Sequence, residues 1–465
     1  MSALTSAKAR AGRPRRLSLL AAAVLVAAAP SVARAQDIPI VRDAEIEEIL
    51  KKDGYPIWEA AGLDAKNMRV MLVGDKDINA FTAGGLVIYV NTGLIEAAKN
   101  PNQLIGVIAH ETGHISGGHV ARDMGGKPAL ATYLLTMGLG ILAAAAGAPD
   151  AAAGLLYSAD YFATLTYFGY SRTQEASADQ AAATFLDKAH ISGRGLVDFF
   201  ENFRYEEVFA DARKNRFFYD HPLSSERIDA LNSRVQKSAY YNEVDTPEAL
   251  AEHAVMVAKL KAFMNAPQQT FIDYKETDTS FPARYARAIA YYRNLDTDKA
   301  LKLTDALLAD YPNDPYMWEL KGQILFEAGR PKEAEPAHER SVALKPDSAL
   351  LQFNLGQTLV AEEDPRKVGE AIAHLQKGLD LEHDNSLGWW LLAQAYDAKG
   401  DAGRARLATA EQNFWLGQMK DARAFALQAR NLLPRDTADW RRATDIVLTS
   451  QPSEGELQSM ARQGG

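Results

Sequence analysis

An α+β unit followed by an all-α solenoid of stacked helix pairs is the fold this sequence predicts. Three observations carry the prediction. Two β-rich runs, Arg69–Val73 and Leu86–Val90, stand just ahead of an apolar run with helical periodicity over 104–119. Inside that run lies His110-Glu111-Thr112-Gly113-His114, an H-E-x-x-H pattern. From residue 281 onward, small residues and prolines recur at a step of 34. The composition, 47% hydrophobic and 24% charged, is that of a globular chain.

The first 35 residues stand apart. Lys8, Arg10, Arg13, Arg15 and Arg16 precede a short apolar core, Leu17–Ala29, and Ala33-Arg34-Ala35 supplies an A-x-A site. This is the pattern of a secretory leader, so a periplasmic location is expected after cleavage near Ala35-Gln36. Its loss removes six Lys and Arg and no acid, taking the formal charge from −9 to −15. A chain so acidic is not built to bind nucleic acid or anionic lipid. The absence of cysteine excludes disulfides and thiolate ligands and suits an oxidising compartment.

Residues 37–66 read as an amphipathic helical start. Arg69–Val73 and Leu86–Val90 read as strands, with Gly84-Gly85 between Phe81 and the second. An edge strand at Leu86–Val90 could pair with an extended substrate backbone, or the sheet is purely structural; both stay open. Asn100 and Pro101 supply the N-cap and first residue of the next helix, and Gly117-Gly118 end it.

On that helix His110 and His114 are four residues apart and face the same way, so both imidazoles can hold one Zn²⁺. Glu111 is then placed to take a proton from an activated water. A third ligand is expected in Ser171–Asp179. Ser171 and Gln174 form a capping-box pattern there. Glu175 falls in the first turn and Asp179 one turn later on the same face. The pair suits one carboxylate on the metal and a second that orients a ligand histidine. The alternative is an ordinary acidic helix face. His221-Pro222 biases His221 to an extended loop conformation, able to present its ring to the cleft. It could close the metal as a fourth ligand, hydrogen-bond the oxyanion of the tetrahedral intermediate, or serve only the loop.

HETGH from His110, SRTQEASAD from Ser171, HPLSSERI from His221 and NAFTAGGLVIYVNTGLI from Asn79 together resemble the M48 family of zinc metallopeptidases. With the leader and the C-terminal repeats, the chain is similar to the periplasmic, repeat-bearing proteases of that family. The resemblance implies a zincin-like α+β metalloprotease domain holding one Zn²⁺ per chain. It implies His110, His114 and Glu175 as ligands and Glu111 as catalytic base. It also implies His221 as a fourth, inhibitory ligand, and quality control of outer-membrane protein assembly as the task.

Ala129–Pro149 is an uncharged run with three glycines and many alanines. A membrane span there would carry Glu175 away from His110. A hairpin with Ala151–Gly169 is expected instead, packed on the protein or touching a membrane surface through 129–170. His119 lies beyond the Gly-Gly break and is expected to be structural. His190, His253, His338, His374 and His383 lack metal spacing and are expected at the surface or in packing. Arg172 and Arg227 could stabilise charge at the site, although lone arginines more often form structural ion pairs.

Thr246–Met264 reads as a connecting helix. Beyond it, Ala300 and Ala334, Gly322 and Gly356, and Pro312 and Pro346 keep the step of 34, and Trp318 adds the large position of a tetratricopeptide repeat. The third unit gains three residues at Glu362–Lys367, so that Ala371 takes the alanine position. Trp389, Tyr396, Ala405, Ala422 and Pro434 continue the array. The expected division is a peptidase domain over 36–240, a connector over 241–280, repeats over 281–435, and a helix and frayed tail over 436–465. The repeats are expected to recruit unfolded or misassembled protein substrates, or the outer-membrane assembly machinery. The rival expectation is a chaperone or scaffold whose proteolysis is rare or latent.

Overall fold

The computed structural model describes residues 39–119, 171–204, 221 and 223–451, with a few isolated positions between 132 and 155. The expected leader and most of the expected 129–170 hairpin and C-terminal tail lie outside the described residues. Residues 134–137 are helical, and Leu134, Leu135 and Leu139 are exposed. No described helix is long and apolar enough to cross a membrane.

Strand β1 (Ile40–Val41) leads into helix α1 (Ala44–Ala60), which the Asp43 side chain caps by accepting from the amides of Glu45 and Ile46. Strands β2 (Arg69–Val73), β3 (Ala80–Thr82) and β4 (Val87–Asn91) complete a four-stranded sheet of order β1-β2-β4-β3. β2 and β4 run parallel, with Arg69 opposite Val87, while β3 pairs antiparallel to β4, with Phe81 opposite Tyr89. Those two rings stack at 5.0 Å.

The second predicted strand therefore needs correction. It runs one residue later than Leu86–Val90 and lies inside the sheet, so it is not an edge. The edge is β3. Gly84 and Gly85 both have positive φ, +101° and +72°, and fold β3 back onto β4 as a hairpin.

Helix α2 (Thr92–Ala97) precedes α3 (Pro101–Ser116), the motif helix. Its start is as expected: Asn100 accepts from the Gln103 amide, and Gln103 reaches back to accept from the Lys99 amide at 2.9 Å. Gly117 caps its C-terminus, followed by Gly118 at φ +63°. Residues 171–188 form α4. Ser171 is already helical, so the expected capping box at Ser171 does not start this helix. Helices α5 (Arg194–Glu201) and α6 (Ser225–Val235) finish this half. Trp58, Leu72, Ile88, Leu104, Phe199 and Ile228 belong to one continuous core under α3.

Helices α7 (Pro247–Met264) and α8 (Pro267–Asp273) lead into ten antiparallel helices, α9 (Phe281–Arg293) to α18 (Ala438–Thr449). The chain is thus an α+β unit continued by a tetratricopeptide-type solenoid. Ala300, Ala334, Ala371 and Ala405, the recurring alanine positions, are all fully buried, because only a small side chain fits where paired helices touch. A second recurrence was not legible as such in the sequence. Trp318 Nε1 donates to the Pro312 carbonyl, Gln352 Nε2 to Pro346 and Trp389 Nε1 to His383. Three successive repeats thus satisfy the carbonyl of the preceding turn with a side-chain N–H six residues on.

The solenoid is tied to the start of the α+β unit. Lys259, 4% exposed, places Nζ 2.9 Å from Asp43 and 3.0 Å from Glu45, and Tyr285 donates to Glu45 at 3.0 Å. Burial lowers the Lys259 pKa, but Asp43 and Glu45 outweigh it and hold the ammonium charged. Arg42 with Glu382, Arg69 with Asp384 and Lys345 with Glu48 add outer links. Removing one partner of a buried pair strands the other charge. Lys259→Met is therefore expected to cost about 3–5 kcal/mol, read as a lower thermal midpoint. An unchanged midpoint would show that these charges do not hold the two halves together.

Candidate metal centre and active site

Two helices and one loop residue converge on a buried point. Helix α3 presents His110, Glu111 and His114, and α4 presents Glu175 and Asp179 one turn apart. His221 enters from the chain just before α6. All six side chains are at least nine-tenths buried. One ligand-type atom from each of His110, His114, Glu175 and His221 falls within 4.8 Å of the others.

Nε2 of His110 lies 3.2 Å from Nε2 of His114, 3.3 Å from Glu175 Oε2 and 3.4 Å from Nδ1 of His221. Glu175 is 3.3 Å from Nε2 of His114 and 3.2 Å from Nδ1 of His221. Nitrogen and oxygen ligands about 2.0–2.1 Å from a tetrahedral cation are separated by about 3.3–3.4 Å, and the spacings above are close to that value.

The remaining hydrogen bonds say which lone pairs point inward. Nδ1 of His110 faces Asp179 at 2.9 Å, which turns Nε2 toward the other three side chains. Nε2 of His221 donates to the Ala80 carbonyl at 3.2 Å, which leaves Nδ1 as a lone pair facing Glu175. Acceptors face acceptors, an arrangement that calls for a cation or protons at the centre. The donor set therefore fits a metal ion.

Arg227 stands behind this cluster. Its guanidinium donates to both oxygens of Asp179, at 2.8 and 2.9 Å, and one nitrogen lies 3.2 Å from Glu175. Its carbon sits 5.8 Å over the Phe200 ring, whose face also meets the edge of His110 at 5.9 Å. Ser224 starts the turn that brings Arg227 there, by capping α6 and accepting from the Arg227 amide.

The charges follow. Burial raises Glu175 and Asp179, but the histidines outweigh it at Glu175, and His110 with Arg227 outweighs it at Asp179. Both carboxyls are held below their usual range. Burial lowers His110, yet Asp179 and Glu175 push it up to about 10. Burial brings His114 down to about 4, with Glu175 opposing only in part. His221 is raised against burial by Glu175 and Glu111. This pocket stabilises positive charge.

The structure brings together every sequence-predicted site residue: His110, Glu111, His114, Glu175, Asp179 and His221. Glu111 Oε1 lies 3.5 Å from Nε2 of His221. Arg172 is exposed, whereas Arg227 is the ion-paired arginine. His119 stays outside the four-residue cluster, with Nδ1 3.0 Å from Nδ1 of His114. His253 and His338 are buried in packing, as expected. The sequence offered no signal for the Ala80 carbonyl, since a backbone group carries no residue type.

Residues 41–235 match the model of peptidase family M48, and residues 285–349 match a tetratricopeptide repeat. The chain is 22% identical to the putative beta-barrel assembly-enhancing protease of Vibrio cholerae serotype O1, over 85% of this chain and 82% of that protein. It is 23% identical to the beta-barrel assembly-enhancing protease of Escherichia coli K12, over 83% and 78%. The metalloprotease LoiP of Escherichia coli K12 is 32% identical over 34% of this chain and 60% of that protein. Among solved structures, the repeat protein YrrB aligns with 39% of this chain and 92% of its own at 19% identity and a TM-score of 0.32. The buried histidine–carboxylate cluster and these matches coincide on the same residues: the chain is a metalloprotease, built from a peptidase family M48 domain and tetratricopeptide repeats.

Proposed function

We propose that the chain is a periplasmic zinc endopeptidase that removes misassembled outer-membrane or envelope proteins. The observation that carries the reading is the inward set of His110, His114 and Glu175 with Glu111 beside it. His110, His114 and Glu175 would hold one zinc ion per chain. Zinc supplies a water with a pKa of about 7 and polarises a peptide carbonyl. Glu111 takes the proton and later returns it to the leaving amine. Asp179, itself held by Arg227, fixes the tautomer and orientation of His110. The free edge of β3, beside the cluster at Ala80, would pair with an extended substrate backbone, a mode indifferent to most side chains and suited to unfolded clients.

The catalytic unit would span 36–240, the connector 241–280 and the recruiting repeats 281–435. The leader pattern supports the periplasmic location. The names of the relatives support outer-membrane β-barrel assembly as the setting, with the assembly machinery as a partner of the repeats. Contact of 129–170 with a membrane surface remains part of the proposal.

His221 favours a latent resting state. Its ring takes a place in the ligand set and at the same time occupies the Ala80 carbonyl, the group to which a substrate amide would donate. One side chain thus blocks both the metal position and the strand edge. The same geometry serves the rival reading, a chaperone or scaffold with rare proteolysis.

Three variants test this. Mature protein is expected to hold about one zinc per chain, and His114→Ala to lose it. Glu111→Gln is expected to keep the metal while cleavage of unfolded outer-membrane protein falls by about 10²–10⁴-fold. Cleavage at the wild-type rate would remove Glu111 from the mechanism. His221→Ala is expected to raise basal cleavage and to promote self-cleavage. A fall of about 10²-fold with the metal retained would assign His221 to the oxyanion instead.

A further inference from the structure

The cluster depends on how closely α3 and α4 approach, and at Gly113 the two backbones are close. A Cβ built on Gly113 would lie 2.7 Å from the carbonyl oxygen of Ala178 and 2.9 Å from its Cα. Both are backbone atoms, so no rotamer change makes room, and ordinary carbon contacts need about 3.5–4.0 Å. Ala178 is fully buried on the face of α4 that carries Glu175 and Asp179. It comes three residues after Glu175 and one before Asp179. Gly113 in turn comes three residues after His110 and one before His114. This close backbone contact therefore stands, along both helices, beside the two pairs whose atoms meet at 2.9 Å (His110 to Asp179) and 3.3 Å (His114 to Glu175).

We infer that Gly113 is a positioning residue of the metal centre: its missing side chain brings α4 near enough for Glu175 and Asp179 to reach the two histidines. Alanine is the better helix former, so local preference gives no reason for glycine here. Pushing α4 outward by the better part of an ångström would move both carboxylates together. Metal sites tolerate only about ±0.2 Å in ligand distance. A change at Gly113, which contributes no ligand, should therefore damage the centre.

The same helix supplies its own control. A Cβ on Gly106 would lie 2.7 Å from Leu196 Cβ and 2.8 Å from its Cα, a clash of equal severity against α5, which contributes none of the six clustered side chains and meets the cluster through the Phe200 ring alone among its described residues. Gly106→Ala therefore measures what crowding α3 does to the fold alone.

This inference rests on the ligand assignment proposed above, and the experiment separates the two. Full-length mature wild type, Gly113→Ala, Gly106→Ala and His114→Ala would be loaded with Co²⁺ as a spectroscopic probe. The readouts are the visible absorption, the affinity by chelator competition, and metal-free thermal unfolding. Gly113→Ala is expected to lose about tenfold or more in affinity, as when a group supporting a ligand is lost, and to change the spectrum. Gly106→Ala is expected to lower the unfolding midpoint but keep the wild-type spectrum and affinity. A wild-type spectrum and affinity in Gly113→Ala overturns the inference. Full metal binding in His114→Ala overturns the ligand assignment beneath it. Ala178→Val, which thickens the facing helix at the same crossing, is the second variant should Gly113→Ala not fold, and it must show the altered spectrum. Failure of both to fold while Gly106→Ala folds also overturns the inference, because the contact would then serve the fold and not the metal.

Discussion

The 2.9 Å ion-pair contact between Nδ1 of His110 and Asp179 is the constraint around which the catalytic half is arranged. It fixes which nitrogen of His110 faces the cluster. It also needs a buried, ionised carboxylate, which a protein interior tolerates only when that charge is compensated. Arg227 compensates it with two hydrogen bonds and stays clear of water itself, stacked on Phe200. One chain of contacts thus joins α3, α4 and α6, and it dictates where the chain before α6 must run. His221 enters the cluster on that path. A buried ion pair of this kind is a poor source of net stability, and its value here is in direction.

The solenoid follows a similar economy at larger scale. Its helices pack through alanines and glycines that recur because paired helices touch there, and its turns are closed by repeated side-chain bonds to backbone carbonyls. The solenoid is also anchored. Asp43 caps the first helix of the α+β unit and at the same time pairs with Lys259. The segment that starts the sheet is therefore the one that holds the repeats. A client bound along the repeats would be presented by a scaffold fixed to the peptidase unit by buried charge, and not by a loose linker.

Much of this was legible in the sequence because it is local. Caps act over three or four residues, so Asn100, Pro101 and Gly117 placed the motif helix correctly. Two histidines four apart must share a face, and a step of 34 residues must stack. Where local signals misled, tertiary contacts had overruled them. Ser171 carried a capping pattern but is itself helical. Leu86–Val90 carried the stronger strand pattern, yet the three-residue β3 became the edge, because the glycine hairpin turned it outward.

The sequence by itself determined which side chains are candidates for the cluster, the helix that carries two of its histidines, the glutamate beside them and the repeat architecture. Each of these follows from periodicity and from chemistry along one segment. Only the tertiary structure decided that Arg227 pairs with Asp179 and Glu175, that His221 reaches both the histidine–carboxylate cluster and the Ala80 carbonyl, and that the backbones of α3 and α4 come close at Gly113. These depend on register and distance between segments far apart in the chain. No local pattern encodes such distances. They are set by which backbones can come into contact once the core is packed.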